Sequence, residues 1–184
     1  VREVSMTTNG TLLAPMAAEL AAAGLARVNV SLDTLDAARF RDLTRGGRVE
    51  EVLEGIDAAL AAGLTPLKVN AVLRKSSFRE DLPPLLGLAA AKGVEIRFIE
   101  LMQTGTEAAW AAAERVTGDT VRAWLESEGA VLSPLDGRPN APARRTAVSF
   151  RGVTVVAGWI DPVSDSFCDD CDRLRLDARG RLRR

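Results

Sequence analysis

The sequence predicts an α/β fold, and three observations carry that prediction. Helical stretches close on a glycine and pass into a strand three times, in AELAAAGLARVNVSLD, DAALAAGLTPLKVNAVL and LAAAKGVEIRFIELM. The strands that follow are β-branched and nearly continuous in apolar character, as buried parallel strands are. Strands alternating with helices in this way form a parallel sheet joined by right-handed crossovers.

The elements can be justified in order. Residues 1–7 read as the first strand, ended by Thr7, Thr8, Asn9 and Gly10. Gly24, Gly63 and Gly93 suit the left-handed position that terminates a helix. Within RVEEVLEGIDAALAAG, Leu53, Ile56 and Leu60 recur at helical spacing and share one face. Four strands alternating with helices are reached by Met102, and residues 1–102 form the first unit. Residues 103–184 break the rhythm with Pro134, Pro139, Pro142 and Pro162, one helix (GDTVRAWLESEG), and the strand-like runs AVSF and VTVVAGWI. They read as a second, smaller antiparallel module. The sequence opens inside a strand with no initiating Met and stops inside RLRLDARGRLRR, so it reads as a piece of a longer chain.

Composition narrows the partners. Hydrophobic residues make up 47% and charged residues 27%, enough for one good core. A net charge of −1 gives no whole-protein field to recruit nucleic acid, so any anion site must be local. No apolar run is long enough to span a bilayer and no signal peptide opens the sequence. Two cysteines do not make a secreted disulfide scaffold. A cytoplasmic location is expected, with no membrane partner and no nucleic acid.

Alternation in the strands places polar groups together. Asn29, Ser31 and Asp33 face one way, opposite Val28, Val30 and Leu32; Lys68 and Asn70 face opposite Leu67, Val69 and Ala71. Glu100 and Met102 share a face with Ile96 and Phe98. A flat sheet between helices has no room for a mid-strand lysine. A barrel whose lumen turns polar toward the carboxyl ends of its strands does have that room, although strand-end residues that reach solvent would carry the same pattern.

Cys168 and Cys171 stand two residues apart, among Asp169, Asp170 and Asp172. Those carboxylates oppose the lowered thiol pKa that a redox disulfide needs. A structural zinc needs four ligands, and the sequence has no His and no third Cys. An inert pair of thiols stays open, but an iron–sulfur cluster with a ligand beyond Arg184 fits best. Downstream, Arg173 and Arg175 share one face of an extended segment, with Leu174 and Leu176 on the other toward a core. Two guanidinium groups about 7 Å apart suit a phosphate chain, although a solvated basic hairpin would carry the same pattern. DARG reads as a turn near Gly180, with RLRR as the returning strand.

TTNG after a strand, RVNVSLD, LKVNAVL, EIRFIELM and FCDDCDRLRL follow one another in an order and spacing that resemble molybdenum cofactor biosynthesis protein A. This is the GTP 3′,8-cyclase family of radical SAM enzymes. The resemblance covers nearly all of the sequence and is weakest over about 103–155. It implies the last four strands of a partial radical SAM (β/α) barrel, followed by a small C-terminal iron–sulfur module. It implies GTP contacts at Thr7, Lys68, Arg173, Leu174 and Arg175, and S-adenosylmethionine contacts at Ser31 and Met102. Cys168 and Cys171 become two ligands of a 4Fe–4S cluster whose third cysteine falls just past Arg184. The ligands of a second 4Fe–4S cluster, the one that cleaves S-adenosylmethionine, belong upstream of Val1, so a truncated chain on its own would be inactive. An external electron donor is implied, and a homodimer is compatible with the resemblance. Two other readings stand beside it: a different radical SAM enzyme with an auxiliary cluster, acting for instance on peptides, and a non-enzymatic nucleotide- or metal-binding remnant.

Overall fold

Glycine stops and short β-branched runs set the element boundaries. A computed structural model describes residues 2–103, 108–136, 141–165 and 174–183. The first part contains β1 (Val4–Thr8), α1 (Leu13–Ala22), β2 (Leu25–Ser31), α2 (Ala37–Thr44), α3 (Val49–Ala61), β3 (Lys68–Leu73), α4 (Phe78–Lys92) and β4 (Glu95–Glu100). Gly24, Gly63 and Gly93 all take positive φ at the helix ends, as the sequence predicts. Helix α2 is not anticipated from apolar spacing because only Phe40 in it is buried. It is started instead by Asp36, whose side chain accepts a hydrogen bond from the Arg39 N–H.

After β4 come α5 (Ala108–Glu114), α6 (Gly118–Ser127), β5 (Val131–Leu135), β6 (Arg144–Phe150), β7 (Val153–Ile160), β8 (Arg175–Leu176) and β9 (Leu182–Arg183). Strands β6 and β7 are the predicted AVSF and VTVVAGWI runs, joined through Arg151 and Gly152. Both of these residues have positive φ, the signature of a tight two-residue hairpin turn. Pro134 lies in β5, an outermost strand, where a missing N–H is tolerated.

The first seven strands form a single sheet in the order β1-β2-β3-β4-β7-β6-β5. β1 to β4 are mutually parallel, β7 is parallel to β4, and β6 and β5 are antiparallel additions. The antiparallel strands after residue 102 therefore extend the sheet that the first four begin. β8 and β9 pair separately as a hairpin, with Asp177 and Gly180 in its turn, as DARG predicts. Leu174 and Leu176 are exposed, however, along with Leu182. The expectation that these leucines face a core is not met, because strands of two residues present too little surface to cover them.

Helices cover one face of the large sheet. Val28, Val30, Val69, Ala71, Ile96 and Phe98 are buried there with Val52 and Ile56 of α3 and Leu82, Leu85 and Leu86 of α4. Trp159, Val148 and Phe150 continue the same layer with Val121 and Leu125 of α6. Among the described residues no helix is long and apolar enough to cross a membrane.

Helix α3 approaches the loop before α1 closely at Gly55, where an added Cβ would lie 2.5 Å from the Gly10 carbonyl oxygen. Alanine would improve helix propensity by about 1 kcal/mol, but the clash is with backbone and costs about 1–3 kcal/mol. Gly55→Ala is therefore expected to lower the urea midpoint. A raised midpoint would show that the loop at Gly10 yields freely.

Candidate functional site

The face of the sheet opposite the helices is polar, and strand register arranges it in two rows. Thr7 pairs with Asn29, Asn29 with Lys68, and Lys68 with Glu95. The next row runs Ser31, Asn70, Arg97, Gly158 and Arg145 across β2, β3, β4, β7 and β6. The Asn29 amide donates to the Thr7 hydroxyl across 3.4 Å. Lys68 is the first residue of β3, not a mid-strand residue, and Glu95 is the first of β4. Both lie level with Asn29, near the carboxyl end of β2, because the strands are staggered. The expectation that all strands deliver their polar groups at their carboxyl ends is corrected accordingly.

Charge concentrates at one end of these rows. Glu95 accepts from Arg97 Nε at 2.9 Å and from Arg145 Nε at 3.2 Å, and Lys68 Nζ stands 3.8 Å from the same carboxylate. The Lys68, Arg97 and Glu95 side chains are only 20%, 19% and 12% exposed, so these charges are well shielded from bulk water. Arg27 lines the same groove and is paired with Glu3. The groove has a volume of about 490 Å³, with Pro66 and Ala141–Ala143 among its walls. Among the described residues four cations thus line it, with Glu95 as the one lining carboxylate. Burial, and secondarily Arg97, holds the Lys68 ammonium below the ordinary lysine range, with Glu95 partly compensating. Gly158 makes the arrangement possible: a Cβ there would sit 3.1 Å from Arg97 Cγ and 3.2 Å from Ala143 Cβ.

The sequence pointed to Lys68 alone among these cations. Arg97 was legible, since it alternates with the buried Ile96 and Phe98. Arg145 was not, because only the β4–β7–β6 order brings it to the groove.

A second hollow of about 200 Å³ opens by the carboxyl ends of β1 and β2, lined by Asn9, Thr11, Ser31, Asp33 and Phe40 among others. Ser31 is exposed into it, and Asp33 Oδ1 accepts the Val72 N–H at 2.8 Å. Burial raises the Asp33 pKa, an effect that the Val72 hydrogen bond partly offsets. Hydroxyl, amide and carboxylate groups beside an aromatic wall fit a sugar or amino-acid moiety. Met102 is exposed just beyond β4. Glu100 lies on the core face, where its Oε2 accepts from the N–H groups of Val163 and Ser164 at 3.0 and 2.8 Å. Leu174 and Arg175 are exposed in or beside the β8–β9 hairpin. Cys168, Cys171 and Arg173 lie outside the described residues. Among the described residues no three Cys, His, Asp or Glu side chains converge as metal ligands.

Comparison with known proteins matches two segments of the chain. Residues 1–89 match the radical SAM superfamily, and residues 94–184 match the family described as Molybdenum Cofactor Synthesis C. Residues 1–89 of the chain belong to the radical SAM superfamily. The GTP 3′,8-cyclase of Moorella thermoacetica is 42% identical over 189 residues, covering 100% of this chain and 56% of that protein. GTP 3′,8-cyclase 1 of Pseudomonas aeruginosa is 42% identical over 182 residues, covering 99% of this chain and 55% of its own length. The Paenarthrobacter nicotinovorans GTP 3′,8-cyclase is 41% identical, over 97% of this chain and 53% of that protein. The chain spans about half the length of the curated relatives it matches. The groove is shared between the two matched segments. The radical SAM segment supplies Arg27 and Lys68, and the molybdenum cofactor synthesis segment supplies Glu95, Arg97 and Arg145.

Proposed function

We propose that this chain forms the substrate-holding part of a GTP 3′,8-cyclase of molybdenum cofactor biosynthesis, with the cationic groove receiving the triphosphate of GTP. The observation that carries this reading is the convergence of Lys68, Arg97, Arg145 and Arg27 on one groove in a chain of net charge −1. A triphosphate carries roughly as many negative charges as the groove has cations, and shielded ion contacts are stronger than exposed ones. Thr7 and Asn29 continue the row toward a ribose. Ser31 lines the hollow that would hold S-adenosylmethionine, Met102 beyond β4 would be its second contact, and Arg173 to Arg175 close on the nucleotide from the C-terminal segment.

Residues 1–102 then correspond to the last four strands of a radical SAM barrel, and 103–184 to an auxiliary-cluster module. The stagger that sets Lys68 level with Asn29 supports this, because closing a sheet into a barrel requires such a shear. Cys168 and Cys171 would be two ligands of a 4Fe–4S cluster. When bound, the clusters and S-adenosylmethionine supply the radical that opens the chemistry. The chain's own contribution is to bind, orient and shield the nucleotide. An external electron donor, a cytoplasmic setting and a possible homodimer complete the reading.

The test is titration of the anaerobically reconstituted protein with GTP, guanosine and inorganic triphosphate. GTP and inorganic triphosphate should compete, and guanosine should bind far more weakly. Arg175→Ala should reduce GTP affinity by about 10- to 100-fold, the worth of one or two charge-assisted hydrogen bonds. Equal affinity for guanosine and GTP would sink the phosphate assignment.

A further inference from the structure

We propose that Arg145 is a further anion-binding residue of the groove and that Glu95 is the positioning residue that aims it together with Arg97. The inference rests on the triphosphate reading above and assigns it two residues. Glu95 engages each arginine through Nε: Oε1 accepts from Arg97 and Oε2 from Arg145. Neither guanidinium makes a further hydrogen bond or ion pair among the described residues, so the terminal amino groups of both keep free donors beside the groove. A guanidinium is planar, so fixing Nε fixes the direction of the remaining donors. One carboxylate thereby orients two forks from strands that are not neighbours, β4 and β6, across the gap that Gly158 leaves open.

Two effects of Glu95 on an anion oppose each other, which makes the test decisive. As a negative charge it repels phosphate, so removing it should tighten binding. As a positioning group it holds the forks ready, and removing it should weaken binding. Burial decides in favour of positioning: a side chain only 12% exposed with two good hydrogen bonds restrains its partners strongly.

The experiment is calorimetric titration of the 184-residue chain with inorganic triphosphate and inorganic diphosphate, with melting curves run alongside to establish folding. Arg145→Met should weaken triphosphate binding about 10-fold, and Arg145→Lys should recover only part of that loss. Glu95→Gln should weaken triphosphate binding several-fold although it removes one negative charge from the groove. It should also narrow the preference for triphosphate over diphosphate. The double variant Glu95→Gln/Arg145→Met should lose less than the sum of the single losses, since one residue acts partly through the other.

Unchanged or tighter binding in a folded Glu95→Gln variant overturns the positioning role. If Glu95→Gln does not fold, Arg145→Met decides the matter alone, because Arg145 is more exposed. Full affinity in Arg145→Met, with a loss in Lys68→Met, overturns this inference and leaves the triphosphate reading standing. Absence of triphosphate binding by the unaltered chain overturns both.

Discussion

Lys68→Met is expected to weaken GTP binding about 10- to 100-fold while leaving S-adenosylmethionine binding nearly intact. The lysine is the one ammonium in the Thr7–Asn29–Lys68–Glu95 row, and methionine keeps its length and apolar stem. Ser31 and the hollow it lines do not include Lys68, so the two ligands separate in the measurement. Equal loss of both would mean that Lys68 supports the fold, not the substrate. The effect should also depend on pH. Burial and Arg97 lower the Lys68 pKa below 10.5 in the free chain, so the ammonium is lost earlier than in an ordinary lysine as pH rises. Phosphate favours the charged form, so GTP affinity should fall through that window in the unaltered chain and stay flat there in Lys68→Met. The stability effect has the opposite sign. With its folded pKa depressed, Lys68 binds a proton more readily in the unfolded chain, so stability rises with pH through the same window. Lys68→Met should remove that rise, read as melting temperature against pH.

Trp159→Ala is expected to cost about 3–5 kcal/mol, a large part of a total that is typically 5–15 kcal/mol. Trp159 is 2% exposed and lies directly opposite Phe98 across the β4–β7 pairing, with ring centroids 5.3 Å apart. Its indole N–H donates to the Thr146 hydroxyl at 3.2 Å, and the Arg122 guanidinium stands 5.1 Å from its ring. Trp159→Phe should cost less, since it keeps most of the apolar contact and strands one buried hydroxyl, at about 1–3 kcal/mol. Urea unfolding monitored by circular dichroism measures both. A loss below about 1 kcal/mol for the alanine variant would show that the pairing does not depend on this side chain.

The legible parts of the fold were those written in local periodicity. Gly24, Gly63 and Gly93 stop their helices because a left-handed residue is needed there, and nothing distant alters that. The two-residue alternation of LKVNAVL placed Lys68 and Asn70 on one face correctly. Helix α2 was illegible because its start depends on Asp36 and its apolar content on Phe40 alone. The stagger of β3 against β2 was hidden as well, since register depends on how neighbouring strands pack. The site divided in the same way. Lys68 could be singled out as an unusual residue in a strand, whereas Arg145 became part of the groove only through the parallel pairing of β7 with β4. Leu174 and Leu176 carried a period-two pattern with no core to match it, which is the limit of reading burial from alternation.

The parallel seam between β4 and β7 has a consequence for synthesis on the ribosome. Ile96 pairs with Ala157, and 157 − 96 leaves 61 residues to be translated before the partner exists. At roughly 5–20 residues per second, β4 emerges about 3–12 seconds before the strand that pairs with it. Throughout that interval the nascent chain presents Ile96, Phe98 and Ile99 on an open edge beside β3. Glu95 and Arg97 alternate with Ile96 and Phe98. Charged residues spaced along an unpaired edge discourage pairing with other chains, so the residues that later form the groove also guard the edge while it waits.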